Sequence, residues 1–89
     1  MSEQLDAYLT SSYRRDVMGE SVKVETPAPD PKLITEIERE IARIDGLRLG
    51  AHLANRDFAS YQNRRALTRL LTQLKVEQAR RKAEKDAAD

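Results

Sequence analysis

Few side chains in this sequence are equipped for acid–base or nucleophilic chemistry. His52 is the single histidine and there is no cysteine. Thiolate metal sites, disulfides and cysteine nucleophiles are therefore excluded together. A lone imidazole on a helical stretch is more often a packing or surface residue than a catalyst or ligand. Glu36, Glu38 and Glu40 are the densest carboxylates. Successive members stand about 200° apart around a helix, so only Glu36 and Glu40 share a face. Helical spacing brings Arg39 and Arg43 to them rather than an imidazole, which is the pattern of a solvent face laced with short-range ion pairs. No glycine-rich phosphate loop and no metal-ligand spacing occurs. The inventory names no catalytic residue, no metal ligand, no cofactor and no small-molecule substrate. A non-enzymatic protein is expected.

One group of charged residues has a direction. On a helix drawn at about 100° per residue, Arg64, Arg65, Arg69, Lys75 and Arg80, with Lys82, fall on an arc away from Leu67, Leu70, Leu71 and Leu74. Guanidinium forks suit phosphates and carboxylates in bidentate geometry. Tyr61 and Gln62 stand just before them. This face could therefore meet RNA, DNA or an acidic protein surface, and binding to nucleic acid would weaken steeply with salt. Basic helix surfaces are also common where they bind nothing.

Bulk composition frames the choice. Charged residues make up 35% of the 89, yet the net charge is only +1. The near-balance hides an asymmetry: counted along the sequence, six Lys/Arg and ten Asp/Glu precede Gly46, whereas ten Lys/Arg and five Asp/Glu follow from it. An acidic front and a basic back can pair with each other, with a second copy, or with two different surfaces. With three Tyr, one Phe and no Trp, a core must come from Ile, Leu and Ala. Such a core is thin, and association is the usual remedy at this size. No apolar run is long enough to span a bilayer and the N-terminus lacks a signal-peptide core, so an intracellular, soluble protein with no membrane partner is expected.

The elements that must position these residues read as all-α. Leu5, Leu9, Tyr13 and Val17, with Tyr8 beside them, mark a helix over about residues 2–18, with Ser2 as N-cap and Gly19 just past its end. Residues 20–30 form an extended, proline-stiffened linker through Pro27 and Pro29, in which Val22 and Val24 alternate with polar residues and could add to a partner's sheet edge. Residues 31–89 form a helical hairpin with a charged tail. Asp30 and Pro31 are a cap and first-turn pair. Ile34, Ile37, Ile41 and Ile44 then mark one stripe, and Leu67, Leu70, Leu71 and Leu74 the other. Facing positions in an antiparallel hairpin have a constant index sum. Ile44 with Leu67, Ile41 with Leu70 and Ile37 with Leu74 satisfy one common register, of the coiled-coil kind. That register places helices at about 31–54 and 57–85, with the turn at Asn55, Arg56 and Asp57 and Gly50 opposite Tyr61. In the rival reading Gly46 ends the first helix and residues 47–50 form a loop, since Gly costs about 1 kcal/mol inside a helix.

The run Asn63-Arg64-Arg65-Ala66-Leu67-Thr68-Arg69-Leu70-Leu71-Thr72-Gln73 resembles the opening of the last long helix in a family of small bacterial ribosomal proteins. The resemblance covers about eleven residues and implies a helical hairpin and RNA binding. It departs where that family carries an Asp-His-His run, since Ala59-Ser60-Tyr61-Gln62 stands here. The residues themselves favour an assembly or adaptor subunit that binds protein or self-associates. Its N-terminal helix would dock through Leu5, Tyr8, Leu9, Tyr13 and Val17. The alternatives are a nucleic-acid-binding helical module and a small inhibitor of a larger protein.

Overall fold

In a computed structural model, residues 2–46 and 58–88 are described. They form three helices and no strand: α1 (Glu3–Asp16), α2 (Pro31–Asp45) and α3 (Phe58–Ala88). α1 and α2 both pack on α3.

The helix starts follow from local chemistry. The Ser2 hydroxyl accepts the Leu5 N–H at 3.2 Å, and the Asp30 carboxylate accepts the Lys32 N–H at 2.8 Å with Pro31 in the first turn. Each cap satisfies an amide that the helix itself leaves orphaned. At the end of α1, Gly19 takes φ 71°, in the left-handed region that a Cβ disfavours. This turns the chain so that the Glu20 N–H reaches the Arg14 carbonyl at 3.0 Å. α2 ends at Asp45, where the Gly46 N–H donates to the Ala42 carbonyl at 3.0 Å. The helix thus ends short of the expected 54, with Gly46, a poor interior residue, at its cap; the loop that the rival reading puts at 47–50 lies outside the described residues. The expected turn at Asn55–Asp57, Gly50 and His52 lie outside the described residues.

Leu5, Tyr8 and Leu9 of α1, Leu33, Ile34, Ile37 and Ile44 of α2, and Ala66, Leu67, Leu70 and Leu74 of α3 form one buried cluster. Asp45 pairs with Arg64 and Glu38 with Lys75 across the two helices, and the two pairs bracket the expected Ile41–Leu70 level. Ile41 and Leu71, expected in the core, are half-buried at its edge with Val24. The N-terminal helix was expected to stand apart; instead it contributes three of the buried side chains. The linker closes over the same side, with Val24 seated against the cluster.

The buried face of α1 differs from the expected stripe. Leu5, Tyr8, Leu9 and Ser12 are buried, Tyr13 is half-buried, and Val17 is 37% exposed. The reason is geometric. A repeat of four drifts about 40° per step around an α-helix, so by Val17 the run has turned about 120° away from Leu5.

Candidate interaction surfaces

Four basic residues of the α3 arc, Arg64, Arg69, Lys75 and Arg80, pair with carboxylates. The Arg64 guanidinium donates to the Asp45 carboxylate at 2.5 Å. Arg69 donates to Asp16 at 2.8 Å, and the Lys75 ammonium lies 4.0 Å from the Glu38 carboxylate. Asp16, Glu38 and Asp45 all come from the acidic front of the sequence. The asymmetry in charge is therefore used inside the molecule, joining α1 and α2 to α3. Arg80 bonds to Glu77 and, at 2.5 Å, to Glu84, and Arg81 bonds to Glu77 at 3.0 Å, all within α3. Among the described residues Arg65 has no carboxylate partner; its guanidinium lies 6.0 Å from the centroid of the Tyr61 ring, within cation–π reach.

The paired carboxylates expected on α2 are also engaged. Glu36 accepts the Ser2 backbone N–H at 2.7 Å, tying the start of α1 to α2. Glu40 accepts from the Arg43 guanidinium at 2.8 Å. Hydrogen bonds from Arg15 and then Arg69 hold the Asp16 carboxyl well below its ordinary value, at about 2. Hydrogen bonds from Arg80 and Arg81 hold Glu77 at about 2. Asp16 and Tyr8 raise Arg69 in turn. Exposed pairs of this kind are screened by solvent and contribute little to stability. Among the described residues no group of three or more His, Cys, Asp or Glu is placed to hold a metal ion, and no helix is long and apolar enough to cross a membrane.

Two features were not anticipated. Ser12 is fully buried, and among the described residues its hydroxyl has no hydrogen-bond partner. Gln62 is also buried, beside Asp16, Arg65, Ala66 and Arg69 in one shallow recess where α1 meets α3. The front-to-back charge asymmetry was the available signal for the Asp16–Arg69 link. Nothing in a run of Thr10, Ser11 and Ser12 singles out the hydroxyl that is enclosed.

A further exposed surface is the far half of α3. The helix has 31 residues and a length of about 46 Å, against about 22 Å for α2 with its 15. Beyond Leu74 the leucine stripe stops. Val76 is 64% exposed, and every residue from 78 to 88 is exposed. Comparison with protein families, curated proteins and solved structures yields no match. The eleven-residue ribosomal likeness accordingly remains a local one.

Proposed function

We propose that this protein is a non-enzymatic assembly or adaptor subunit that engages a protein partner through the projecting half of α3. The observation that carries the reading is a helix kept regular well past its last core contact. A helical segment of this length is marginal in water when nothing packs on it, because nucleation is costly and each residue adds little. The ion pairs among Glu77, Arg80, Arg81 and Glu84 hold it in shape. Val76, Ala79, Ala83 and Ala87 follow one another at helical spacing on the side away from Leu74. That side offers a narrow apolar strip to a helix or groove, one of the common ways in which helices recognise proteins. The α1 stripe is already used in the chain's own core, so the arm is not the docking element in this conformation. Arg64, Arg69 and Lys75 face carboxylates of the same chain, which leaves less free positive charge for phosphates and favours a protein over a nucleic acid.

The test is affinity isolation of the full chain from its native cells, alongside the variant Val76→Glu/Ala83→Glu, with circular dichroism to establish that both are equally folded. A protein partner recovered in stoichiometric amount with the wild type and lost with the variant is expected. Equal recovery with both chains, or a salt-labile nucleic acid in place of protein, overturns the reading.

A further inference from the structure

We propose that α1 is a latch that opens on its own, ahead of the α2–α3 hairpin, and that the enclosed Ser12 hydroxyl sets how readily it opens. Four observations converge on α1. Its buried face ends in a group that should not be there: after Leu5, Tyr8 and Leu9, the next position is Ser12, at 0% exposure with a hydroxyl that has no partner among the described residues. Enclosing a hydroxyl without a partner opposes packing, because the group gives up its water bonds and gains none. The opposition acts only on the closed form, since an opened α1 returns Ser12 to water.

The polar ties at the two ends of α1 are of the kind that exchanges readily with solvent. They are the Asp16–Arg69 pair, with side chains 26% and 41% exposed, and the single Ser2–Glu36 bond. The chain beyond α1 is suited to a hinge. Gly19 adopts the left-handed turn, and among the described residues no backbone–backbone hydrogen bond fixes Lys23 to Pro29. The hairpin is built otherwise. α2 and α3 share Ile37, Ile44, Leu67, Leu70 and Leu74, each at most 1% exposed, and among the described residues they carry no comparable orphan. Local opening of weakly tied elements ahead of the body is a general property of folded chains. Here the element concerned covers part of the apolar side of α3, so its opening would present Leu5, Tyr8 and Leu9 together with the surface they leave. The inference stands on α1 alone and does not depend on what the far half of α3 binds.

Native-state hydrogen exchange on the full chain tests both parts. The amides of α1 are expected to exchange through an opening that leaves residues 33–44 and 66–74 protected. Ser12→Ala is expected to slow α1 exchange about fivefold or more while leaving the hairpin amides unchanged. Ser11→Ala, one position away and only half-buried, carries the same gain in helix propensity without removing the orphan, and is expected to act less. Exchange of α1 in one step with Leu70 overturns the latch, and the wild type alone decides that point. Equal slowing by Ser11→Ala and Ser12→Ala overturns the role assigned to the hydroxyl.

Discussion

α3 is two helices in one. From Ala66 to Leu74 it is clasped on two sides, by the isoleucines of α2 and by Leu5, Tyr8 and Leu9 of α1. From Gln78 to Ala88 every residue is exposed. The backbone is the same on both sides of that boundary, and so is the abundance of Arg, Lys and Glu. What changes is whether a leucine recurs every three or four residues. The difference separates two sources of helical order. In the near half, regular structure is a by-product of burial. In the far half it rests on propensity and on neighbouring charges, each of them a weak source of order.

Three measurements probe that contrast. The largest effect is expected from Leu70→Ala. Leu70 is fully buried, and removing its side chain should cost about 2–5 kcal/mol in urea unfolding followed by circular dichroism. The matching change in the far half, Val76→Ala, should shift stability by less than about 0.5 kcal/mol, because Val76 is already 64% exposed. Comparable losses at the two sites would erase the boundary.

Acid should distinguish the halves next. Asp16 and Glu77 both have folded-state values near 2, below their ordinary values of 3.8 and 4.5. A depressed carboxyl contributes stability that is fully present above its ordinary value and is lost as pH falls towards the folded value. Between about pH 4 and pH 2 the Asp16 link between α1 and α3 should therefore weaken, whereas loss of the Glu77 pairs should only fray the far half. Tyrosine fluorescence of Tyr8 and Tyr13 against far-ultraviolet ellipticity, compared with Asp16→Asn, reads the two events apart. A fluorescence transition that Asp16→Asn leaves unchanged would sever the Asp16 link from the docking of α1.

The smallest effect is expected from ending the chain after Gln78. Ellipticity should drop by the share those residues carry, while the urea midpoint stays within the equivalent of about 0.5 kcal/mol. A large fall in the midpoint would mean that the far half supports the body.

The sequence made the hairpin legible because two stripes with compatible spacing fix a register between them. Asp45–Arg64 and Glu38–Lys75 bracket that register at its flanks. Helix starts were equally legible at Ser2 and Asp30, where a side-chain oxygen precedes free amides. The position of α1 was not. An apolar stripe shows which face of a helix will be buried, but the same stripe serves equally for docking on the chain itself and for docking on another. Val17 failed for a different reason: a repeat of four does not hold one side of a helix with about 3.6 residues per turn. Leu33 escaped notice because it follows the Asp30–Pro31 start so closely that the stripe was counted from Ile34. Of the basic arc, the residues were legible and their partners were not, since which carboxylate meets which guanidinium depends on where α1 and α2 settle.

The continuity of α3 ties the orientation of its outer half to the core. No glycine or proline lies between Leu67 and Ala88, so the helix acts as a keyed shaft: the leucines set the angle at which Val76, Ala79 and Ala83 face outward. Inserting one residue after Gln78 would turn everything beyond it by about 100° and leave the body intact, whereas inserting four would turn it by only about 40° and carry it about 6 Å further out. The molecule thus fixes a direction as well as a surface, and any assembly built on that surface inherits its angle from the leucines.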